Sequence, residues 1–269
     1  GSKELVAWLP TFLQSETVLY PKIAYPTYLV GAMLAQSHEI AVDIDASQWP
    51  QADLAWVNSP ANPTGRVHSQ EELRTVIQWS RKNKAVVISD ECYLEFGDGV
   101  TPTSIFAYSD GDNANLLAVH SLSKRSSLAG YRAAFMVGDP ALISAIREIR
   151  KQAGMMVALP VQKAMTAALG DDEHVVIARA RYNSRRATLK PALEAAGFRI
   201  EESVAGLYIW CTRGEDAWKS VEWLAEIGIL ATPGTFYGPD GSHHIRVAMT
   251  ATDNAINDAA ARIMAAIGA

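Results

Sequence analysis

Short apolar segments that alternate with longer amphipathic ones constrain the fold of this chain more than any other sequence feature. Four of the apolar segments predict buried strands, at Asp53–Asn58, Ala85–Ile88, Leu116–His120 and Ala133–Val137. Between the first two, Ser69 and Glu72 form the capping-box pattern that begins a helix, which is expected to end near Lys84. Buried strands separated by helices are typical of a mostly parallel sheet covered on both faces. The sequence therefore predicts a three-layer α/β/α arrangement.

The chain becomes mainly helical after the fourth predicted strand. We predict one helix that runs through Lys151, a second that follows Pro160, and a long charged helix over Asp172–Ala196. Gly197 is expected to end the long helix because glycine adopts the left-handed conformation found just past helix ends.

The last part of the chain predicts a smaller α/β unit. Two strands are expected near Leu207–Trp210 and His244–Ala248, and an alanine-rich helix closes the chain. We therefore predict a large domain over residues 1–178 and a small C-terminal domain over residues 179–269, with the boundary inside the long helix near Arg179.

Polar side chains collect where the predicted strands of the large domain end. Ser89–Glu91 follow the second strand, and Ser121–Lys124 follow the third. Ligands of open α/β sheets bind outside the carboxyl ends of the strands. The sequence thus predicts a binding site at this edge of the sheet.

Composition and missing motifs exclude several classes of function. The formal net charge of −5 is spread without blocks of like charge, which argues against nucleic-acid or membrane-surface partners and favours small-molecule substrates. The sequence contains no G-x-G-x-x-G, Walker A, H-E-x-x-H or C-x-x-C motif. Cys92 and Cys211 lie far apart, so neither a disulfide framework nor a metal site is expected. Without a long apolar run or a signal-peptide pattern, we expect a cytoplasmic protein.

Four segments carry a resemblance to a known family: Asn58–Gly65, Ser89–Tyr93, Ser121–Lys124 and Leu128–Arg132. In this order and spacing they closely resemble the class I/II aminotransferases, which are fold-type-I pyridoxal-phosphate enzymes. The likeness extends from Gly1 to the C-terminal helix. It implies pyridoxal 5′-phosphate as the cofactor, amino acids and keto acids as substrates, and a homodimer with active sites at the subunit interface.

Family members carry a further N-terminal stretch before the turn that corresponds to Gly1. That stretch includes an arm that crosses to the partner subunit and part of the substrate pocket. We therefore expect this sequence to be either a fragment or a form that dispenses with the region.

The resemblance assigns the catalytic residues Lys124 and Asp90. Lys124 matches the lysine that holds the aldehyde cofactor as a Schiff base and, once released, moves a proton from the substrate Cα. Asp90 matches the carboxylate that keeps the pyridine nitrogen protonated, although an Asp after a strand also commonly caps a helix. Asn62 and Tyr93 match donors to the ring's phenolic oxygen. An ordinary turn and a core tyrosine remain the alternatives for these two residues.

The remaining site residues surround the phosphate, the ring face and the substrate. Ser121, Ser123 and Arg132 match the phosphate-binding donors, together with Ser2 and Lys3 at a helix N-terminus. Gly1-Ser2 also resembles a common cloning remnant, whereas Lys3-Glu4-Leu5 is typical of the family. Tyr25 matches the aromatic residue that stacks on the ring, with Tyr28 as the alternative. Arg246, assisted by Asn62, matches the residue that binds the substrate's α-carboxylate.

Within the family, the sequence is most similar to the succinyldiaminopimelate transaminases of bacterial lysine biosynthesis. The similarity is carried by Gly1–Pro10, His120–Arg132, Lys151–Met156 and Ala205–Trp210. It implies transamination of N-succinyl-LL-diaminopimelate with 2-oxoglutarate. Two alternatives stay open: a carbon–sulfur β-lyase that uses the same Lys, Asp and Arg, and a regulatory aminotransferase-like domain without catalysis.

Overall fold

The computed structural model describes residues 1–268, and its larger sheet has six strands in the order β2-β1-β3-β4-β5-β6. These strands are β1 (Thr17–Pro21), β2 (His38–Val42), β3 (Leu54–Asn58), β4 (Val86–Asp90), β5 (Leu116–Ser121) and β6 (Ala134–Gly138). The first five are parallel, and β6 pairs antiparallel with β5 at one edge. The predicted mostly parallel sheet is confirmed, and its four predicted strands are β3 to β6.

Nine α-helices are found within residues 1–268. They are α1 (Ser2–Phe12), α2 (Thr27–Leu34), α3 (Gln70–Asn83), α4 (Leu122–Arg125), α5 (Pro140–Gln152), α6 (Leu159–Leu169), α7 (Glu173–Ala195), α8 (Ala217–Glu226) and α9 (Asp253–Ile267). The capping box that begins α3 is confirmed, because the Ser69 side chain accepts from Glu72 N and the Glu72 side chain accepts from Ser69 N. The helix ends where Lys84 adopts a left-handed conformation.

Alternation along β3 shows why the large sheet is covered on both faces. All five residues of β3 are buried. Leu54 and Trp56 pack with α1 and α5 on one face, whereas Ala55 and Val57 pack with α3 on the other. Side chains of a strand point alternately to opposite faces, so a continuous apolar strand needs two covering layers. The three-layer arrangement follows.

The smaller sheet has the order β7-β8-β10-β9 and is antiparallel throughout. Its strands are β7 (Arg199–Glu201), β8 (Tyr208–Thr212), β9 (Thr232–Pro233) and β10 (Ile245–Ala248). Its core includes Leu193 from α7, Ile209, Ile245 and Ile263 from α9. The proposed domain boundary near Arg179 falls inside α7 and stays a prediction.

A buried cluster connects the two sheets. Cys92, Tyr93 and Phe96 follow β4 of the larger sheet and pack directly against Leu207 and Tyr208 of the smaller one. The two sheets therefore contact each other beside the carboxyl end of β4.

Within residues 1–268, no helix combines the length and hydrophobicity needed to cross a membrane.

Candidate active site

A cavity of about 440 Å³ lies at the carboxyl ends of β3, β4 and β5. All the site residues predicted from the sequence line it: Ser2, Lys3, Tyr25, Asn62, Asp90, Tyr93, Ser121, Ser123, Lys124, Arg132 and Arg246. Asn58, Cys92, Ala129 and Tyr208 line it as well. The predicted residues are thus brought together from both parts of the chain, although their individual roles stay predictions.

Asn58 shapes the loop that carries Asn62. It is the last residue of β3, directly opposite Asp90 in the β3–β4 pairing. Its side-chain amide donates to the carbonyls of Asp90 at 2.9 Å and Pro60 at 3.0 Å, and its Oδ1 accepts from Asn62 N at 2.7 Å. A fully bonded buried amide fixes the loop geometry, so Asn58 holds Asn62 at the cavity wall.

Asp90 is a buried carboxylate with two hydrogen-bond donors. Only 6% of it is exposed; Oδ2 accepts from the Tyr28 hydroxyl at 2.8 Å, and Oδ1 accepts from Cys92 N at 3.1 Å. Burial raises the pKa of Asp90, while these hydrogen bonds act in the opposite direction. Within residues 1–268 Asp90 makes no ion pair. Because a buried charge is costly unless it is paired, a ligand with a positive charge would stabilise this carboxylate. The contact with Cys92 N caps a turn, because no helix follows.

Tyr28 and Tyr25 have different surroundings, which separates the two candidates for ring stacking. Tyr28 is 1% exposed, lies flat against Trp56 with ring centroids 5.0 Å apart, and bonds to Asp90. Tyr25 is half-buried, contacts the Tyr28 ring edge-on and lines the cavity. Of the two rings, that of Tyr25 lines the cavity and that of Tyr28 does not, which favours Tyr25 as the stacking residue; its role stays a prediction.

Lys124 lies in the short helix α4, immediately after β5. Ser121 caps this helix by accepting from Ser123 N at 3.2 Å. The next residue, Arg125, is buried and engaged with Glu95 and Asp172. In contrast, the Lys124 amine has no hydrogen-bond or ion-pair partner within residues 1–268 and lines the cavity. The helix is therefore anchored by Arg125, and Lys124 is left available for a ligand.

Donors for an anion collect at the side of the cavity near Gly1. Ser2 begins the 11-residue helix α1, whose first amides have no partner within the helix. A Cβ added to Gly1 would lie 2.6 Å from Arg132 Nη2, so the glycine permits this guanidinium to approach the helix start. Arg132 itself has φ +54°, an uncommon conformation for a non-glycine residue. Together with the hydroxyls of Ser121 and Ser123, these groups form an anion-binding donor set.

Arg246 enters the same cavity from β10 of the smaller sheet. Its Nη1 donates to Asn62 Oδ1 at 2.9 Å. Its guanidinium carbon lies 3.9 Å from the ring centroid of Tyr208 and 5.0 Å from that of Tyr237. Its Nε is buried and has no partner within residues 1–268. A positioned guanidinium with an unused buried donor is suited to bind a carboxylate.

Tyr93 lines the cavity and contacts the smaller sheet. Its hydroxyl lies 3.3 Å from that of Tyr208, and the two rings meet edge to face. Burial, with a smaller effect of Tyr208, raises the pKa of Tyr93 well above its usual value. Tyr93 therefore stays a neutral hydroxyl at physiological pH and can donate a hydrogen bond.

Comparison with known proteins shows the family of this chain. Residues 1–263 match the family model described as "Aminotransferase class I and II". The chain belongs to this family. The cofactor of this aminotransferase is accordingly pyridoxal 5′-phosphate, as expected from the sequence.

Two relatives share about half of the aminotransferase's residues. A protein from Mycobacterium tuberculosis described as a "Probable aminotransferase" is 52% identical over 98% of this chain, which spans 64% of that protein. A 4-dedimethylamino-4-oxo-anhydrotetracycline transaminase from Streptomyces rimosus is 50% identical over 98% of this chain and 75% of its own length. A solved structure from Thermus thermophilus, described as a "probable N-succinyldiaminopimelate aminotransferase", superposes with a TM-score of 0.87 at 25% identity. It covers 99% of this chain and 76% of its own.

The described residues fit pyridoxal phosphate. Asp90 is a buried carboxylate without a cationic partner, as expected for the residue beside a protonated ring nitrogen. Lys124 offers an unengaged amine to an aldehyde. The donors beside Gly1 and Arg132 suit a phosphate dianion.

Replacing Tyr28 with phenylalanine should weaken cofactor binding. A hydrogen bond to a charged group contributes about 1.5–3 kcal/mol, so removing the donor raises the pKa of Asp90 further and disfavours its carboxylate form. We expect affinity for pyridoxal phosphate to fall by up to about tenfold at pH values where Asp90 begins to take up a proton. The loss should increase at lower pH, where Asp90 takes up a proton more readily.

Fluorescence titration of the cofactor-free protein between pH 5 and 8 measures this effect. Tyr20→Phe is a suitable control, since Tyr20 packs against the same core without lining the cavity. Equal cofactor affinity in Tyr28→Phe and the control across this range would contradict the role of Tyr28.

Proposed function

We propose that this aminotransferase transfers the amino group of N-succinyl-LL-diaminopimelate to 2-oxoglutarate, a reaction of bacterial lysine biosynthesis. The observation that carries the catalytic part is the 2.9 Å contact between Arg246 and Asn62, residues 184 positions apart. The contact lies in the cavity that Lys124 and Asp90 also line, where the Arg246 guanidinium would bind a carboxylate. The substrate assignment is supported by sequence resemblance and by the likeness to the Thermus thermophilus protein.

Lys124 and Asp90 perform the proton chemistry in this proposal. When bound, pyridoxal phosphate supplies an aldehyde that links covalently to amines and a ring that accepts electrons. Lys124 would hold the cofactor covalently and, when released by the substrate amine, take the proton from the substrate Cα. Asp90 would hold a proton on the ring nitrogen, since its carboxylate is buried and shielded from water.

The other cavity residues bind and orient. Tyr93 and Asn62 would donate to the phenolic oxygen, and Tyr25 would cover one face of the ring. The phosphate would be bound by a set of donors that surrounds the start of α1: Ser2, Lys3, Ser121, Ser123 and Arg132. Arg246 would bind the substrate's α-carboxylate through Nε while Nη1 stays on Asn62.

The whole protein is proposed to be a cytoplasmic homodimer, with residues 1–178 and 179–269 as its large and small domains. The dimer follows from the family resemblance. This chain spans 64% of the length of the relative from Mycobacterium tuberculosis, so the activity and partners of the whole protein are proposals.

A second candidate acceptor is a bulky cyclic ketone. This candidate is favoured by the 50% identity with the protein from Streptomyces rimosus, whose name gives 4-dedimethylamino-4-oxo-anhydrotetracycline as its substrate. In that case the cavity beside Arg246 would bind a ring system in place of a linear keto acid. The amino-donor half of the reaction would use the same residues.

The experiment that tests the substrate is a comparison of kcat/KM across amino donors with 2-oxoglutarate as acceptor. We expect N-succinyl-LL-diaminopimelate to exceed aspartate, tyrosine, alanine and cystathionine by more than tenfold, about 1.4 kcal/mol in transition-state binding. A short or aromatic donor that wins by tenfold would overturn the lysine-pathway assignment. A polycyclic ketone that outperforms 2-oxoglutarate would favour the second candidate. Cleavage of cystathionine without any keto acid would indicate the β-lyase.

A further inference from the structure

Tyr208 contacts both Tyr93, a proposed cofactor-binding residue, and Arg246, the proposed substrate-binding residue. It is the first residue of β8 and pairs with Ala248 of β10. Arg246 of β10 pairs with Trp210, two residues further along β8, so Arg246 is the diagonal neighbour of Tyr208 on the same face of the sheet. Diagonal neighbours across an antiparallel pair are within reach of long side chains. The Arg246 guanidinium carbon accordingly lies only 3.9 Å from the Tyr208 ring centroid, in cation–π contact.

The opposite end of Tyr208 contacts Tyr93. The two hydroxyl oxygens are 3.3 Å apart, and the ring centroids are separated by 5.9 Å at an interplanar angle of 69°. Tyr208 is 8% exposed and lines the same cavity as Lys124. One side chain thus bridges a residue after β4 of the larger sheet and an arginine in β10 of the smaller sheet.

The direction of the hydrogen bond between Tyr93 and Tyr208 depends on which hydroxyl donates its proton to the other. Each tyrosine hydroxyl has one proton to donate and lone pairs that accept. When Tyr93 gives its proton to the cofactor's phenolic oxygen, the bond between the tyrosines forms only if Tyr208 donates to Tyr93. The Tyr208 proton therefore fixes the direction in which Tyr93 donates.

We propose that Tyr208 is a positioning residue that orients the Tyr93 hydroxyl toward the cofactor through its own hydroxyl and holds the Arg246 guanidinium through its ring. This inference rests on the roles proposed above for Tyr93 and Arg246. The two functions of Tyr208 reside in different parts of its side chain, so they are separable by substitution.

Tyr208→Phe removes the hydroxyl and keeps the ring on Arg246. A donor to the phenolic oxygen lowers the proton affinity of the nitrogen that links cofactor and lysine, so a misdirected Tyr93 should raise the pH midpoint of the bound cofactor's absorbance change. We expect an upward shift of about 0.5–1 pH unit, the equivalent of one hydrogen bond. The Kd of the cofactor-free protein for 2-oxoglutarate, measured by calorimetry, should stay within about twofold.

Tyr208→Leu removes hydroxyl and ring together. It should produce the same shift of the pH midpoint and, in addition, weaken 2-oxoglutarate binding to the cofactor-free protein by about three- to tenfold, the range for a lost cation–π contact. Tyr182→Phe is the matched control, because Tyr182 packs against the same cluster as Tyr93 and Tyr208 without lining the cavity. Thermal melting of each variant shows whether it is folded.

The decisive comparison is the double variant Tyr93→Phe/Tyr208→Phe. If Tyr208 acts through Tyr93, the double variant should shift the pH midpoint no further than Tyr93→Phe alone. Additive shifts, or a shift in Tyr93→Phe with none in Tyr208→Phe, would overturn the inference while leaving the role of Tyr93 intact. No shift in Tyr93→Phe would instead refute the proposed role of Tyr93 and the inference with it. An unchanged 2-oxoglutarate Kd in Tyr208→Leu would refute the part that concerns Arg246.

Discussion

Lys124→Ala should abolish transamination and covalent cofactor binding together. Positioned acid–base catalysis contributes about 10²–10⁴-fold, and the lysine also provides the covalent attachment, so we expect kcat to fall by at least about 10⁴-fold. The fold should persist, because the Lys124 amine has no partner within residues 1–268 and Arg125 anchors the helix. Stopped-flow and steady-state assays of the full-length protein measure the rate, and circular dichroism measures the fold.

A small primary amine added to the Lys124→Ala protein should restore part of the rate, since the missing proton acceptor is an amine. Lys151→Ala serves as the control, because Lys151 is an exposed lysine of α5 outside the cavity. Activity of Lys124→Ala close to that of Lys151→Ala would show that another group carries the reaction.

Asp90→Asn should have the second largest effect. The amide cannot hold a proton on the ring nitrogen, so the electron-accepting ring loses its electrostatic partner in a buried site. Loss of one preorganised electrostatic contact costs about 10²–10³-fold in kcat, and we expect at least that decrease. Glu91→Gln is the matched control: Glu91 is 1% exposed, accepts from Ile105 N at 2.9 Å and Ser104 Oγ at 3.0 Å, and does not line the cavity. Glu91→Gln should therefore reduce stability more than rate.

The cofactor-free Asp90→Asn protein should be at least as stable as the unmodified one at neutral pH. Burial raises the pKa of Asp90 above its usual 3.8, so the folded state takes up this proton more readily than the unfolded state. The cost of the buried charge is present above the raised pKa and disappears as pH falls below 3.8. The Tm advantage of Asp90→Asn should shrink over the same range. Near-normal turnover together with a lower Tm would show that Asp90 is merely a structural cap.

The sequence predicted the central strands because each is an apolar run that ends in polar residues. Asp90 ends β4 and Ser121 ends β5, so the pattern of burial located the edge of the sheet where the cavity lies. The edge strand β2 lacks this pattern, since three of its five residues are exposed. A hydrophobic run also does not show whether a strand is parallel or antiparallel to its neighbour. The antiparallel orientation of β6 is seen only in its pairing with β5.

Two contacts between residues far apart in the chain were not predicted, although Tyr28 itself was a candidate for stacking on the ring. Tyr28 reaches Asp90 across 62 positions, and Tyr208 reaches Tyr93 across 115. In the sequence both are aromatic residues in apolar surroundings, which is equally typical of a hydrophobic core. Tyr208 and Arg246 lie in two strands that the sequence predicts. Whether their side chains are neighbours depends on the register of those strands, which the sequence does not specify.

The attachment of pyridoxal phosphate to Lys124 is tested most directly by borohydride reduction of the full-length protein, followed by peptide mapping. Borohydride converts a reversible link between an aldehyde and an amine into a stable one, so the labelled residue is read from the peptide mass. We expect one cofactor per chain, on the peptide that contains Ser121, Ser123 and Lys124, and none in Lys124→Ala. A label on another lysine, or no label in a protein that binds the cofactor, would contradict the account.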